Sequence, residues 1–221
     1  PVLGTKDAVV DEQGAAVIPA GTREIFDMAF QENPQLIRVV LPDSVRKVGS
    51  RAFAGCENLR EVHLNEGLEI LEGNVFNGCP RLEELMLPAS LRQVHAYAFN
   101  HTSFRAPVYD RSGTILYHYP EQAPVTFFAV PQGVQRLAHG AFLGCAALEA
   151  VRLPESLEVI EREAFVNTAI RSITIPSSVK TVEGFAFWNC RNLEQVDLLC
   201  SSDAANAYAF YQCPGVRLRQ Q

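Results

Sequence analysis

The sequence predicts an α/β-type repeat solenoid of about eight coils, at a period of 22–23 along the chain, with a hairpin inserted near its middle. Three observations carry that prediction. Phe30, Phe53, Phe76, Phe99, Phe142, Phe165, Phe187 and Phe210 follow one another at steps of 23, 23, 23, 43, 23, 22 and 23, and all but Phe76 have alanine immediately before them. Other apolar columns run in register with this one. A short alternating segment followed by proline opens most repeats. A coil of this length cannot bury all its apolar positions by itself, but stacked coils turn each column into a ladder and share one core.

The elements of a repeat follow in order. Twelve positions before the phenylalanines stand Ile18, Leu41, Leu64, Leu87, Val130, Leu153, Ile175 and Leu198. Each closes an L-x-x-V-x-L segment whose end alternates with period 2, which predicts a short strand paired with the same strand of neighbouring coils. Pro19, Pro42, Pro88, Pro131, Pro154 and Pro176 come next and end the strand, because proline cannot donate to a ladder. Asn65 and Leu199 depart from this rule. Apolar pairs follow at eight and five positions before the phenylalanine, among them Val45/Val48, Leu68/Leu71, Val134/Leu137 and Leu157/Ile160. Six positions beyond it come Leu36, Leu59, Leu82, Leu148 and Leu193.

A cysteine column completes the repeat: Cys56, Cys79, Cys145, Cys190 and Cys213. A zinc site needs paired ligands converging on a point, and each of these cysteines is alone in its coil. Disulfides between neighbouring coils are disfavoured because parallel inward side chains hold the Cβ atoms too far apart. Buried free thiols acting as small hydrophobes are therefore expected. Cys200 lies outside the column, at a strand exit, and is expected to be the exposed cysteine. In two coils Thr102 and Thr168 replace the cysteine, and in both the next apolar residue, Phe104 or Ile170, arrives one position early. A replacement coupled twice to the same shortening points to a local turn variant.

The chain is expected to form a single domain over residues 1–221, with an irregular coil at about 105–127 and an atypical terminal coil at about 196–221, since end repeats lose the pattern where they face water. Within the irregular coil, DRSG between apolar runs predicts a β-hairpin. Asp11 and Gly14 repeat the spacing of Asp110 and Gly113, so a related turn is expected near the N-terminus. Two readings of the central hairpin stand: a brace that closes the solenoid, or a binding loop presenting Tyr109, Tyr117, His118 and Tyr119.

The LPxS, AFxxC and xxLxxV segments, repeated over about residues 16–216, closely resemble the BspA-like leucine-rich repeats of bacterial and some protozoan surface proteins. The resemblance implies a leucine-rich repeat right-handed superhelix with a curved parallel β-sheet on the concave face. It implies an extracellular or cell-surface (or secreted) location and an adhesive, protein-binding role. It brings no catalytic residue.

Composition agrees with a non-enzymatic module. The net charge of −6 lacks the basic face that nucleic acid requires. The sixteen arginines against three lysines have two readings, planar surface contacts or a lineage habit in codon usage. No apolar run is long enough to span a membrane. No signal peptide is visible, and in a chain that starts at Pro1 that says nothing about compartment. No H-E-x-x-H, G-x-S-x-G, phosphate loop or dinucleotide fingerprint occurs. His63, His95, His101, His118 and His139 fall at different repeat positions; His95, His101 and His118 flank the irregular region. Asn100-His-Thr fits an N-glycosylation sequon. No cofactor or metal is expected.

The expected partner is a protein, such as a host or extracellular-matrix protein, bound by a monomer. The alternatives are a structural spacer of a larger surface protein and an enzyme with its site in 105–127. Binding is expected on the sheet, where the outward residue of each strand reads Val17, Val40, His63, Met86, Ala129, Arg152, Thr174 and Asp197. The apolar residues here predict a patch centred on Met86 and Phe127, flanked by Val40, His63 and Arg152, with the hairpin tyrosines Tyr109, Tyr117 and Tyr119 at its edge.

Overall fold

A computed structural model describes residues 1–4 and 8–220. The chain divides into two compact units, Pro1–Ala106 and Pro107–Gln221. The first holds β1 (Val2–Leu3), β2 (Val9–Val10), β3 (Ala16–Val17), β4 (Glu24–Ile25), β5 (Arg38–Val40), β6 (Lys47–Val48), β7 (Glu61–His63), β8 (Ile70–Leu71) and β9 (Gln93–Val94). The second holds β10 (Val108–Tyr109), β11 (Ile115–His118), β12 (Phe127–Ala129), β13 (Arg136–Leu137), β14 (Ala150–Arg152), β15 (Val159–Ile160), β16 (Ser172–Ile175), β17 (Thr181–Val182), β18 (Gln195–Leu198) and β19 (Arg217–Gln220). Among the described residues the one helix is a 3-10 turn, Ser202–Ala204.

Each coil contributes two strand segments rather than the one that the alternating stretch predicts. The expected strand forms β5–β7 in the first unit and the parallel sheet β12-β14-β16-β18-β19 in the second. The second segment is a two-residue stretch that ends on the second member of the apolar pair after the proline, as in Lys47–Val48 and Ile70–Leu71. Its members form parallel ladders in the orders β1-β4-β6-β8-β9 and β10-β11-β13-β15-β17, parallel throughout except where β10 meets β11. Leu3, Ile25, Val48, Leu71 and Val94 lie in one register, as do Leu116, Leu137, Ile160 and Val182. Two residues suffice for a strand here because the neighbouring coil, not the strand's own length, supplies its partners. Residues 84–86 join no ladder.

The phenylalanines stack as the spacing predicts. In the first unit Phe30, Phe53, Phe76 and Phe99 stand with ring centroids 5.4, 5.6 and 6.5 Å apart and planes within 15° of parallel. In the second, Phe142–Phe165 and Phe165–Phe187 are 4.9 and 4.8 Å apart, with Phe210 continuing the stack at 5.1 Å from Phe187. Such offset stacks add about 0.5–1.5 kcal/mol per pair to the burial of the rings themselves. The long step between Phe99 and Phe142 conceals another rung. Tyr119 lies one repeat period before Phe142, with its ring 5.2 Å from that of Phe142 and its N–H donated to Ala141 O, as Phe142 N–H is donated to Ala164 O.

All six cysteines are free and buried. The column proves to be a hydrogen-bonding ladder as well as an apolar one. Cys56, Cys79, Cys190 and Cys213 direct Sγ at the carbonyl oxygens of Phe30, Phe53, Phe165 and Phe187 in the preceding coil, at 3.0, 3.2, 2.9 and 3.0 Å. Cys145 reaches Tyr119 O at 3.8 Å, which confirms Tyr119 as the equivalent of those phenylalanines. A buried carbonyl needs a donor, and the thiol is the smallest apolar group that supplies one. In the shortened coils the donor is a threonine hydroxyl that turns back on its own coil: Thr102 Oγ1 on Phe99 O at 2.7 Å, and Thr168 Oγ1 on Phe165 O at 3.0 Å. Cys200, expected to be exposed, is only 3% exposed. It is closed in by the C-terminal strand, whose Gln220 side chain donates to Cys200 O at 2.7 Å.

Two turn columns flank the seven phenylalanine rungs from Phe30 to Phe187. Residues two before and two after the aromatic take positive φ, for example Asn74 and Gly78 around Phe76 and Phe185 and Asn189 around Phe187. The glycine of the A-F-x-G-C segment thus answers a backbone demand, and asparagine is the commonest L residue that tolerates the same conformation.

Candidate functional site

The sheet residues expected to face outward do so. Val40 and His63, on β5 and β7, are exposed in the first unit, and Met86 is 89% exposed. Beside them Arg38 Nε pairs with Glu61 Oε1 at 3.3 Å, and the His63 ring bonds the same carboxylate. That contact, ahead of the attraction of Arg38, holds the Glu61 carboxyl below its ordinary pKa. In the second unit Phe127 on β12 is 53% exposed, and the Arg152 guanidinium of β14 lies over its ring at 5.9 Å. The next residue, Phe128, points the other way and packs on Tyr119 and Phe142, as alternation requires. Beyond this pair the face is polar, with Thr174 exposed and Asp197 held by Gln195 at about 3 Å.

The hairpin tyrosines separate by environment. Tyr119, expected at a binding surface, is a core rung at 4% exposure, so the aromatic group expected at the hairpin loses its central member. Its place in the repeat was hidden because His118 stands where alanine normally does. Tyr109 and Tyr117 are half-buried, and desolvation raises both hydroxyl pKa values. His118 is buried at 3% on β11, opposite Val108.

The turn of this hairpin is built around Asp110. Its Oδ1 accepts the Ile115 N–H at 2.6 Å, and its Oδ2 accepts from Ser112 and Thr114, while Gly113 N–H closes on Asp110 O at φ +71°. Burial alone would raise the Asp110 pKa, but the bonds from Ser112, Ile115 and Thr114 outweigh it and leave the carboxyl below its usual value. The N-terminal turn is its counterpart: Asp11 Oδ1 accepts Gln13 N–H and Ala15 N–H at 2.9 and 2.8 Å, and β2 pairs antiparallel with β3. β11 goes on to pair with β13, so the central hairpin starts a ladder of the second unit.

Among the described residues no group of three His, Cys, Asp or Glu side chains comes together. Among the described residues no helix is long and apolar enough to cross a membrane. Asn100 of the sequon is buried at 5% exposure, so its amide is inaccessible to a modifying enzyme in the folded chain.

A further feature of the second unit lies on the side of the turns, where no single coil carries a signal. Phe185, Trp188, Tyr208 and Tyr211 form an aromatic cluster with Phe185 at its centre, 5.7–6.3 Å from the other three rings. Arg162 covers the Phe185 ring at 4.8 Å, and Trp188 Nε1 donates to Gln212 Oε1 at 2.8 Å. Trp188, Tyr208 and Tyr211 are 38, 60 and 48% exposed. The chain neighbour of Trp188, Asn189, lines a shallow, open groove of about 290 Å³ together with Ala146, Asn167, Thr168, Ala169, Arg191 and Asn192. These residues come from different coils, and only stacking assembles them.

The BspA type leucine-rich repeat region matches residues 23–119 and 116–218, in six copies. Among curated proteins none matches the sequence. A leucine-rich repeat protein from Eubacterium ventriosum superposes with a TM-score of 0.63 at 13% identity, over 97% of this chain and 82% of that one. The pneumococcal vaccine antigen PcpA superposes at 0.60 with 21% identity, over 90% of this chain, which spans only 60% of PcpA. A leucine-rich repeat protein from Bacteroides ovatus gives 0.56 at 19% identity, over 96% of this chain and 68% of that one. At these identities the likeness establishes the fold. Stacked aromatic rungs, the thiol ladder beside them and a family match over nearly the whole length make this chain a member of the BspA-type leucine-rich repeat family.

Proposed function

We propose that the chain is a non-catalytic protein-binding module of a cell-surface or secreted protein, and that it binds through the outward residues of its strand faces. The observation that carries the reading is the exposure of large apolar side chains at the outward repeat positions: Val40 on β5 and Met86, which joins no ladder, in the first unit, and Phe127 on β12 in the second. Of the large apolar side chains among the described residues, Met86 is the most exposed, at 89%. Arg152 over Phe127 joins two residue types enriched at binding hot spots, while His63, Glu61 and Arg38 supply a polar rim in the first unit. Strand faces of solenoids are pre-formed and extended, which suits protein surfaces and limits the ordering cost of binding. The half-buried Tyr109 and Tyr117 remain in the proposed surface and Tyr119 does not. The surface location rests on family membership and on the likeness to a vaccine antigen.

The test is surface plasmon resonance of the chain against purified host serum and extracellular-matrix proteins. For any protein that binds, Met86→Asp and Phe127→Asp are measured separately, with melting temperature as the control. A loss of about tenfold or more from at least one of them, at unchanged melting temperature, is expected. Full retention by both variants would refute binding through these faces.

A further inference from the structure

We propose that the second unit carries, on its turn side, a carbohydrate site selective for acidic sugars, formed by the groove at Asn167, Asn189, Arg191 and Asn192 with Trp188 beside it. This site lies apart from the strand face of the same unit, so the two readings stand or fall separately.

The coil beneath the groove is one residue short. In the flanking coils two residues separate the cysteine from the next core leucine: Ala146 and Ala147 before Leu148, and Arg191 and Asn192 before Leu193. In the Thr168 coil only Ala169 stands before Ile170. The groove lies over this shortened coil, with the small side chains Ala146 and Ala169 among its lining. It reaches across three coils, about 10 Å at strand-like spacing, and its volume of about 290 Å³ is at the small end for a ligand pocket. That is room for one or two sugar rings.

Its chemistry is one-sided. The lining offers three carboxamides, each with donors and an acceptor, and one guanidinium, and includes no carboxylate. Arg191 Nε donates to Asn189 Oδ1 at 2.8 Å, and Asn189 Nδ2 donates to Asn167 Oδ1 at 2.6 Å, so the polar lining is held in place by its own bonds. Asn167 and Asn189 occupy left-handed turn positions at φ 59° and 58°, where the backbone itself favours asparagine; Arg191 and Asn192 have no such reason to be there. Among the described residues Arg191 makes no ion pair, which leaves its guanidinium fork free for an incoming carboxylate.

No aromatic side chain lines the groove itself, and the aromatic nearest along the chain is Trp188, next to Asn189. The Trp188 ring is fixed by its bond to Gln212 and exposed, with exposed Tyr211 in contact with the same cluster through Phe185. Aromatic faces take the apolar face of a pyranose, amides take its hydroxyls, and the guanidinium takes its carboxylate. An extended acidic peptide spreads its polar groups along a line at about 3.4 Å per residue, whereas a sugar acid concentrates hydroxyls and carboxylate within one ring, as this groove requires.

The experiment is a titration of the full chain, by calorimetry and ligand-observed NMR, with four sugars and one peptide: sialyllactose against lactose, glucuronate against glucose, and hexaglutamate. At least one acidic sugar should saturate the protein and bind about tenfold tighter than its neutral counterpart. Which of the two does so distinguishes a sialate from a uronate. Arg191→Gln should abolish the preference for the acid. Trp188→Ala should weaken acidic and neutral sugars alike, and Tyr211→Ala replaces it should Trp188→Ala lower the melting temperature. Three results would each overturn the proposal: no saturable sugar binding, hexaglutamate bound as tightly as the acidic sugars, or wild-type binding retained by folded Arg191→Gln.

Discussion

Replacing Phe165 by alanine tests whether the aromatic column is a continuous buried ladder. The Phe165 ring is fully buried and lies between Phe142 at 4.9 Å and Phe187 at 4.8 Å, with planes within 5° of parallel to both. The coils above and below are held at their spacing by the bonds of Phe142 N–H to Ala164 O and Phe165 N–H to Ala186 O, so the cavity cannot close by moving one element. The expected cost is therefore at the upper end of phenylalanine truncations, about 4–5 kcal/mol. Phe210, half-buried and stacked on Phe187 alone among the ring contacts, should lose about 1–2 kcal/mol when truncated, in proportion to the smaller area it removes from water. The assay is guanidinium denaturation followed by circular dichroism and by the fluorescence of Trp188, the single tryptophan and a reporter of the last coils. Both variants should shift the midpoint at an unchanged slope. A loss below about 1 kcal/mol for Phe165→Ala, or equal losses for the two variants, would mean that the rungs do not share one core.

Other consequences are as direct. Burial pushes the Cys56 thiol up to about 11 and the Cys79 and Cys145 thiols up to about 12, while the bond with Cys190 lowers the Cys213 pKa. All six cysteines are buried, so none should label in native protein at neutral pH, and all should after unfolding. Because the folded pKa values of Cys56, Cys79 and Cys145 lie above the ordinary value of 9.0, native stability should be intact below about pH 9 and decline as pH rises through 11 to 12, measured as a falling denaturation midpoint. Tyr119→Phe should change stability by less than about 1 kcal/mol and Tyr119→Ala should cost about 3–5, the pattern of a core rung and not of a binding residue. Asp110→Ala removes the acceptor of Ile115 N–H and should cost about 1–2 kcal/mol, with loosening of the hairpin visible as faster amide exchange there. Wild-type stability from this carboxylate is present above its unfolded pKa and is lost as pH falls through the lower folded value. Thr168→Val keeps the volume but removes the donor to Phe165 O and should cost about 1–2 kcal/mol; a neutral result would mean that the thiol of Cys190, which reaches the same carbonyl, suffices.

The repeat was legible in the sequence because it is written in local spacing. The recurrence of the phenylalanine column fixes which residues stack, period 2 before the proline fixes a strand and its outward column, and the twin Asp-x-x-Gly turns announce two hairpins of one design. For the same reason Val40, His63, Met86, Phe127 and Arg152 could be named as exposed from their position in the repeat, and the structure exposes each of them.

What escaped depends on contacts between coils. Tyr119 is a rung only because its N–H meets Ala141 O and its ring meets Phe142; in the sequence, tyrosine after histidine looked like a surface aromatic. Cys200 is closed in by the C-terminal strand, a coil further along the chain, and no property of its own neighbours shows that. The two-residue stretch that ends on the second member of the apolar pair is a strand only because its neighbours above and below complete the ladder, since two residues cannot hold a strand alone. The groove over Thr168 lies on the shortened coil, and the one-residue shortening was readable as a turn variant. That Ala146, Arg191 and amides from adjacent coils line one groove there follows from stacking alone. A single chain sequence specifies the spacing along each coil; the side chains that meet across coils are fixed by the tertiary register, and that register builds the candidate sites.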